Sequence, residues 1–501
     1  MTVYFINPPF KWEYGKFSRE SRSPAVAKSG VLYYPLWLIY AAAYAEKNGF
    51  DVRFLDAPAK RYDFEKSLEI IDNELKVYTN PDGPGGTHNL FVVDTSTPSI
   101  ESDAAFCKRI KEKYPQAFVY MVGTHPTATA EETLSNYPWV DGIARKEYDF
   151  TITKLAKVMD DDFSSNLASL PGISYRSRQD GSIKHNPDAE YITDLDEIPL
   201  ASDFIKRHLD YKDYFFAAAE YPEIQIFTGR GCPCRCNFCV YPQTMHGHGY
   251  RLRSPQNVVE EFKYIAENFP DVKEIVIEDD TFTINRKRVT EICELLIETG
   301  LNKRFKWLCN ARVNTLDLET MKLMKKAGCR LVIPGIESGT QEILDNIKKG
   351  TTIKEIREYI KNTKKAGLLV HACYMVGNQG ETRESMQKTL ELALELNTDT
   401  AQFFPLIPYP GTEAYEWNKA RGYIKYGYSE YCKEDGTHNC VLDLPGIPGE
   451  EMVKFCDDAR KKYYLRPGYI LHRIWTGLKD PNDLKRSLKA FGQFKKYLFK
   501  K

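Results

Sequence analysis

Short apolar runs alternate with longer stretches of helical periodicity in the first part of the chain. The runs at residues 3–6, 51–55, 89–94 and 118–122 have the length of strands, and residues 35–47 carry apolar positions at helical spacing. Strands that alternate with helices are typical of a doubly wound parallel sheet. The pattern therefore predicts an α/β, Rossmann-like domain over residues 1–163.

The same alternation restarts after residue 215. Between the two parts, residues 164–215 are predicted to form a linker that contains one short hairpin. Further apolar runs, each followed by a helical stretch, then predict strands at residues 224–228, 274–278, 306–309, 330–334, 370–375 and 401–406. These strand–helix units predict a partial (βα)6 TIM barrel over residues 216–424, open on one side. Residues 425–501 are predicted to form a helical C-terminal region.

Composition limits the classes of protein that the chain can belong to. Lysine and arginine number 69, as do aspartate and glutamate, so no net charge favours binding to nucleic acid. The sequence has no apolar run long enough to cross a bilayer, and its start lacks the features of a signal peptide. The 12 cysteines do not form the dense pattern of a secreted disulfide scaffold. We therefore predict a cytoplasmic protein.

Three cysteines carry the strongest chemical signal. Cys232, Cys236 and Cys239 follow a predicted strand in the order Cys-x3-Cys-x2-Cys. Three thiolates on one loop can hold three irons of a [4Fe–4S] cluster and leave the fourth iron open, whereas electron-transfer clusters use four cysteines. Zinc is the alternative, because Cys236 and Cys239 have zinc spacing, but no second ligand pair follows nearby. We predict the cluster, with Cys234 as a free thiol.

The cysteine spacing, the aromatic Phe238 before the last cysteine and the preceding strand resemble the radical S-adenosylmethionine (SAM) superfamily. The resemblance implies that SAM chelates the open iron, and that an electron from the cluster cleaves SAM to methionine and a 5′-deoxyadenosyl radical. It also implies a reducing partner of the flavodoxin or ferredoxin type. From the sequence, no particular residue is assigned a catalytic role.

Residues at strand ends are the SAM ligands that this resemblance implies. SAM needs a carboxylate for its ammonium group, donors for its carboxylate and polar contacts for its ribose. Arg312 is placed for the carboxylate, because a guanidinium group binds carboxylates in a bidentate manner. The others are assigned to the ammonium or ribose (Glu278, Asp279), the nucleoside (Gly335, Glu337, Ser338) and the adenine (Met375, Gly377). Asp280 is predicted to cap the following helix instead.

The strand ends of the first domain are small and polar, and they resemble the cobalamin-binding domain that precedes many radical SAM cores. Ligands bind such sheets at the carboxyl ends of the strands. The usual signature Asp-x-His-x-x-Gly is absent, so the resemblance implies a corrin with no histidine ligand. The predicted cobalamin contacts are Thr95, Ser96, Thr97, Ser99, Gly123, Thr124, His125 and Glu147. The alternative is a domain that has kept the fold and lost the cofactor.

Several shorter stretches narrow the resemblance to the hopanoid-biosynthesis-associated subgroup, which acts on lipid head groups with sugars or polyols. They include residues 21–24, 34–38, 241–244 and 348–350. We therefore predict hydrogen abstraction from an unactivated C–H bond, followed by rearrangement or carbon–carbon bond formation on a polyol or sugar-type lipid head group. The first alternative is a cobalamin-dependent radical SAM methyltransferase, and the second is a non-catalytic iron–sulfur electron-transfer protein. The expected substrate is a small or lipid-linked molecule and not a nucleic acid.

The last residues form a basic segment. Residues 485–501 contain seven basic side chains and no acidic one, with apolar residues at near-helical spacing. A basic amphipathic helix can lie in an anionic membrane interface. The alternative is a helix whose apolar side packs on the barrel. This segment is therefore the basis for a predicted peripheral contact with the inner face of the membrane.

Overall fold

The computed structural model of the 501-residue chain describes residues 1–78, 89–161 and 167–479. One sheet has the strand order β4-β1-β5-β6-β7-β8-β9, and β2 pairs with β3. Neighbouring strands run parallel from β4 to β7 and antiparallel at β8 and β9. These strands are β1 (Thr2–Asn7), β2 (Lys16–Phe17), β3 (Val26–Ala27), β4 (Asp51–Asp56), β5 (Leu90–Asp94), β6 (Phe118–Val122), β7 (Gly142–Ala144), β8 (Ile173–Arg176) and β9 (Ile183–His185).

Helices cover both faces of this sheet. Along β1, Val3 and Phe5 belong to one hydrophobic cluster, while Tyr4 and Ile6 belong to another, because successive side chains point to opposite faces. The predicted doubly wound α/β domain is thereby confirmed. The helices are α1 (Leu36–Lys47), α2 (Ala57–Lys60), α3 (Phe64–Tyr78), α4 (Ile100–Lys113), α5 (Thr124–Ala128), α6 (Ala130–Asn136), α7 (Asp149–Asp161) and α8 (Ala201–His208).

Helix α1 joins this domain to the second one. Nine of its 12 residues are buried, and it packs against α7 and α8. Its first turn has no side-chain cap from Pro35, and the half-buried carboxylate of Glu20 instead accepts hydrogen bonds from the backbone amides of Trp37 (2.7 Å) and Leu38 (3.0 Å). The Tyr40 hydroxyl accepts from the amide of Phe227 at 3.1 Å, directly before the cysteine loop.

The second part is an open parallel sheet with the strand order β10-β13-β14-β15-β16-β17. Its strands, with the hairpin β11–β12, are β10 (Glu223–Ile226), β11 (Gly229–Arg230), β12 (Arg251–Leu252), β13 (Glu274–Ile277), β14 (Lys306–Ala311), β15 (Cys329–Glu337), β16 (Leu369–Val376) and β17 (Thr400–Pro405). The helices are α9 (Pro255–Asn268), α10 (Arg286–Glu298), α11 (Leu301–Arg304), α12 (Leu318–Lys326), α13 (Gln341–Asn346), α14 (Ile353–Ala366), α15 (Arg383–Leu396), α16 (Glu413–Lys419), α17 (Gly449–Tyr464) and α18 (Pro467–Lys479). The partial barrel with a helical C-terminal region is confirmed.

An apolar plug closes one end of the partial barrel. Val276, Leu308 and Leu331 lie side by side on neighbouring strands, and they cluster with Phe216 and Ala219 from the segment before β10. Polar side chains concentrate at the opposite end, where the strands reach their carboxyl termini. This is the end at which barrels of this type place their functional groups.

The domain limits drawn from the sequence remain predictions. The hairpin β8–β9, predicted within the linker, extends the edge of the first sheet, and α8 packs against α1 and α9. In the described ranges, no helix combines the length and the apolar character needed to cross a membrane. The predicted basic helix at residues 485–501 lies outside the described residues.

Candidate active site

The three predicted cluster cysteines lie on one loop at the barrel mouth. Backbone contacts fix its start, because the Cys232 amide donates to the Gly247 carbonyl at 3.3 Å and the Cys232 carbonyl contacts His248 Nδ1 at 3.0 Å. Its other end is held by Gln243, whose side-chain amide donates to the Cys239 carbonyl at 2.9 Å and reaches the Cys236 carbonyl at 3.4 Å. The loop is therefore ordered by backbone contacts that leave the three thiols available as ligands.

Cys234 lies in the same pocket as the other thiols. A hydrogen bond from Cys232 lowers the pKa of Cys234 to about 7, and Arg312 acts in the same direction. Burial raises the pKa of Cys239. Within the described residues, no three His, Cys, Asp or Glu side chains converge on a point that could hold a single metal ion. In a [4Fe–4S] cluster each thiolate binds a different iron, so its ligands need no such convergence.

The first two carboxylates after β13, those of Glu278 and Asp279, have different roles. Glu278 pairs with Arg22 at 3.2 Å, and this guanidinium also donates to the Asp279 carbonyl at 3.1 Å. The Asp279 side chain is fully buried and accepts from the amide and hydroxyl of Thr228, both at 2.6 Å. Asp279 thus holds the strand that leads into the cysteine loop, and binding of SAM by its carboxylate would require these bonds to open.

The expectation that Asp280 caps the next helix is wrong. Asn285 caps α10 by accepting from the amide of Arg288, whereas Asp280 contacts His246 Nδ1 at 3.2 Å. Although burial opposes the shift, the charge and hydrogen bond of His246 lower the pKa of Asp280. The aspartate does not reach this helix, because α10 begins six residues further on, at Arg286.

A second set of charges lines the ends of β14 and β15. Glu337 and Lys349 form a buried ion pair at 2.8 Å, and the Lys349 ammonium lies 5.9 Å from the ring centre of Phe238. Arg312 donates to the Lys349 carbonyl and, at 3.0 Å, to Asn314 Oδ1. A Cβ on Gly335 would collide with Glu337 Oε1 and lie 2.8 Å from Lys349 Nζ, so glycine makes room for this pair.

The remaining predicted SAM contacts are more enclosed. Ser338 has no exposed surface and lies 3.3 Å from the hydroxyl of Thr389. Met375 is buried in the main hydrophobic cluster. Gly377 has a φ of +90°, and a Cβ there would lie 2.8 Å from Met452 Sδ. These positions lie at the same end of the barrel as Glu337, and their contact with SAM remains a prediction.

The polar strand ends of the first domain form a connected network. Thr95 and Ser99 donate to Asp103 at 2.7 and 2.6 Å, and the hydroxyls of Ser96 and Ser99 lie 3.0 Å apart. All four of these side chains are buried. These hydrogen bonds therefore hold the loop after β5 in a defined arrangement.

The next strand end carries Gly123, Thr124 and His125. A Cβ on Gly123 would strike the Thr95 carbonyl, so the glycine lets the two strand ends approach each other. His125 Nδ1 lies 3.1 Å from Thr97 Oγ1, and its ring meets Tyr428 edge-on with ring centres 4.7 Å apart. Burial lowers the pKa of His125 to about 3. Thr124 begins α5 and is partly exposed.

Two buried polar atoms beside these loops have no partner within the described residues: Asp94 Oδ2 at the end of β5 and the hydroxyl of Tyr148. Unpaired buried polar groups are costly, so such atoms mark places where a ligand can complete the hydrogen bonding. Both atoms fit hydrogen bonding to the amide-rich periphery of a corrin. Glu147, in contrast, is fully engaged by Arg251, with two contacts of 2.6 Å.

Comparison with known proteins agrees with this geometry. Residues 226–393 match the Radical SAM superfamily, and residues 22–153 match the B12 binding domain. An uncharacterized methyltransferase of Pyrococcus horikoshii is 31% identical over 443 residues, covering 88% of this chain and 90% of that protein. The anaerobic magnesium-protoporphyrin IX monomethyl ester cyclase of Cereibacter sphaeroides is 29% identical, with coverages of 88% and 69%. The hopanoid C-3 methylase of Methylococcus capsulatus is 24% identical, with coverages of 89% and 78%.

Solved structures show the same fold. The radical SAM methyltransferase TsrM from Kitasatospora setae superposes with a TM-score of 0.65 at 16% identity, and the match covers 91% of this chain and 88% of TsrM. The chain belongs to the radical SAM superfamily, in the class with an N-terminal B12-binding domain. It is therefore an enzyme whose cofactors are a [4Fe–4S] cluster, SAM and cobalamin.

Sequence reasoning missed Arg22, His246 and Lys349 as members of this site. Arg22 and Lys349 lie in stretches that supported the family resemblance, and His246 follows another of them, residues 241–244, by two positions. Their partners are Glu278, Asp280 and Glu337, which lie 256, 34 and 12 residues away in the sequence. A charged residue in a resembling stretch was the available signal, but only the fold shows what it pairs with.

Proposed function

We propose that the protein is a cobalamin-dependent radical SAM methyltransferase that acts on an unactivated carbon of a small molecule. The observation that carries the proposal is the similarity to a relative named as a methyltransferase, because the match covers 90% of that relative's length. Both proteins are compared over a chain that here joins a B12-binding domain to a radical SAM core. The named hopanoid C-3 methylase supports the same reaction class. Cys232, Cys236 and Cys239 are proposed to hold the cluster.

The bound groups supply the reactive species: SAM on the cluster provides a 5′-deoxyadenosyl radical, and cobalamin provides a methyl group. The chain's own residues bind and orient them. We propose that Glu278, Arg312, Gly335 and Glu337 surround SAM, because their polar groups lie around the cysteine loop. Arg22 and Lys349 neutralise two of these carboxylates. Binding of the zwitterionic SAM would then exchange protein ion pairs for ligand ion pairs, which limits the cost of burying its charges.

Product analysis tests the reaction class. By atom and electron balance, methylation of R–H consumes two SAM and two electrons and releases R–CH3, one S-adenosylhomocysteine, one methionine and one 5′-deoxyadenosine. With SAM labelled on its methyl group and an anaerobic reductant, the holoenzyme should form S-adenosylhomocysteine and 5′-deoxyadenosine in equal amounts during coupled turnover. Formation of 5′-deoxyadenosine with substrate conversion but without S-adenosylhomocysteine would overturn the proposal.

That opposite result would favour the second candidate, rearrangement or carbon–carbon bond formation. The resemblance to a ring-forming enzyme, the anaerobic cyclase, supports this candidate. In that case only one SAM is cleaved for each event, and its methyl group stays on methionine. The polyol or sugar-type lipid head group predicted from the sequence would be tested by the lipid that accumulates in a deletion strain.

The reaction class also defines the partners. Reductive cleavage of SAM requires an external electron donor, for which a flavodoxin or ferredoxin type of protein is proposed. A small-molecule substrate enters through the open side of the barrel. We also propose a cytoplasmic location and peripheral contact with an anionic membrane through residues 485–501.

A further inference from the structure

Four charged residues, three of them buried and Arg251 partly buried, join the B12-binding domain to the cysteine loop. Arg230 of β11 makes a bidentate pair with Asp149 at 2.8 and 2.9 Å, and Arg251 of β12 makes one with Glu147, both contacts at 2.6 Å. The carboxylates belong to the segment after β7, whereas the arginines belong to the barrel mouth. We name these four residues the interdomain clasp.

The arginines depend on the other domain for their neutralisation. Arg230 and Arg251 are directly opposite each other in the antiparallel pair β11–β12. Like charges in such positions repel. Throughout the described parts of the chain, their ion pairs are made to Glu147 or Asp149 alone. The countercharges of this strand pair therefore come from the B12-binding domain.

On the barrel side, the clasp is continuous with the cluster ligands. A single residue, Gly231, separates Arg230 from Cys232. Arg251 donates to the His246 carbonyl at 2.8 Å. The adjacent Gly247 carbonyl accepts from the Cys232 amide. A displacement of either guanidinium group would thus move the backbone that carries Cys232.

On the other side, the clasp is continuous with the loop predicted to contact cobalamin. Lys146, next to Glu147, donates its backbone amide to Thr127 Oγ1 at 3.1 Å, and it has a φ of +60°. Thr127 closes the turn that begins at Gly123, because its amide reaches the Gly123 carbonyl at 3.4 Å. The four charges therefore connect two loops that are proposed to hold different cofactors.

We propose that the interdomain clasp sets the separation and orientation of the cluster and cobalamin sites, and that its four members are positioning residues for transfer between them. This inference rests on the proposed function. Buried ion pairs contribute little net stability, because the cost of desolvation offsets their attraction, but bidentate geometry imposes direction. A network at a domain boundary is therefore better suited to fixing an arrangement than to adding stability.

The test uses full-length holoenzyme reconstituted anaerobically with cluster, hydroxocobalamin and SAM. Arg230→Lys keeps the charge and loses the bidentate geometry. We expect iron and cobalamin contents equal to the parent, 5′-deoxyadenosine formation within about twofold, and S-adenosylhomocysteine formation slower by about 10- to 100-fold, the usual effect of misplacing reacting groups by about 1 Å. A general loss of structure would lower both products together.

The matched control is Arg330→Lys. Arg330 also makes a buried bidentate pair, with Glu274 at 2.7 and 2.8 Å, but both residues belong to the barrel and lie at its other end. This variant should keep the parent ratio of the two products. An equal change in the ratio for Arg330→Lys and Arg230→Lys would overturn the inference, as would a parent-like ratio for Arg230→Lys.

A readout independent of turnover is the spin relaxation of cob(II)alamin beside the reduced cluster, which reports the separation of the two. It should slow or become heterogeneous in Arg230→Lys and remain parental in Arg330→Lys. If the parent makes no S-adenosylhomocysteine, the proposed function fails, and the relaxation measurement still decides on the clasp. If Arg230→Lys loses a cofactor, Asp149→Asn decides by the same criteria, since it removes the charge that faces Arg230 and keeps an acceptor.

Discussion

At the scale of single residues, the cysteine loop contains four thiols within eight residues of the chain. Cys232, Cys236 and Cys239 have the spacing of a three-cysteine cluster site, and Cys234 forms a hydrogen bond with Cys232. Proximity alone does not separate ligand from bystander. What separates them is the chain geometry that allows three thiolates to reach three corners of a cube.

Replacement of single cysteines tests this assignment. Cys232→Ala, Cys236→Ala and Cys239→Ala should each lose the cluster and SAM cleavage, because a missing thiolate leaves a second iron without a protein ligand. Cys234→Ala should retain both. Iron and sulfide content, the absorbance of the reconstituted protein and 5′-deoxyadenosine formation are the measurements. A Cys234→Ala protein without cluster, beside a Cys232→Ala protein with cluster, would show that the register is wrong.

His125 is predicted to lie near the corrin without binding cobalt. Its Nδ1 faces Thr97, and its ring is covered by Tyr428. The absorbance and electron paramagnetic resonance spectra of bound cobalamin should therefore be the same in His125→Gln and in the parent. Loss of nitrogen hyperfine structure in the variant would instead reveal a histidine ligand.

The same histidine should make stability depend on pH. Its pKa is about 3 in the folded protein against 6.5 as the ordinary value, so the unfolded chain binds the additional proton between these limits. The free energy of unfolding should consequently decrease as the pH falls below 6.5. Urea unfolding at about pH 7 and about pH 5 should show that His125→Gln avoids about 2 kcal/mol of this loss. An identical pH dependence of both proteins would contradict the buried, neutral imidazole.

At the scale of elements, the turn between β6 and α5 shows how a backbone conformation shapes a binding edge. Gly123 has a φ of +109°, and a Cβ would strike the Thr95 carbonyl and lie 2.9 Å from Asp94 Oδ1. The turn can therefore form only without a side chain, and it brings the ends of β5 and β6 together.

Gly123→Ala should destabilise the first domain by about 1–3 kcal/mol and reduce cobalamin retention, because strain and a collision add at this turn. Gly49→Ala is the control: Gly49 has a φ of +88° in the same domain, but a Cβ there meets nothing within 4 Å. Urea unfolding and the cobalamin content after desalting are the measurements. Equal cobalamin retention in Gly123→Ala and the parent would argue against a corrin at this edge.

At the scale of the whole molecule, both sheets present their carboxyl-terminal strand ends to a shared region. The interdomain clasp and the contact of Tyr40 with Phe227 cross the boundary beside the cysteine loop. The site is thus a property of two docked domains, and neither sheet contains it alone.

The far C-terminus adds a prediction about where the enzyme works. Residues 485–501 are basic, and α18, which comes shortly before them, exposes Leu471 (67%) and Ile474 (50%). Apolar and basic side chains together favour an anionic bilayer surface. Full-length protein should float with anionic vesicles, less so at high salt, whereas a chain ending at Asp483 should not. Equal flotation of both proteins would remove the membrane role of this segment.

The sequence by itself determined the order of strands and helices, the two α/β units and the three-cysteine motif. These features follow from local periodicity and spacing, which act over a few residues. The predicted strand at residues 118–122, for example, has the same bounds in the structure, and α1 begins one residue later than predicted.

Only the tertiary structure decided which charges meet. Glu147 is a carboxylate at a strand end, where cofactor ligands are expected, and it pairs with Arg251, 104 residues away. Asp280 contacts His246 and does not cap a helix. A carboxylate at a strand end looks the same in sequence whether it binds a ligand, a helix terminus or an arginine. The choice depends on which partner the packing of the two domains brings within about 3 Å, because charge-assisted hydrogen bonds act only over that range.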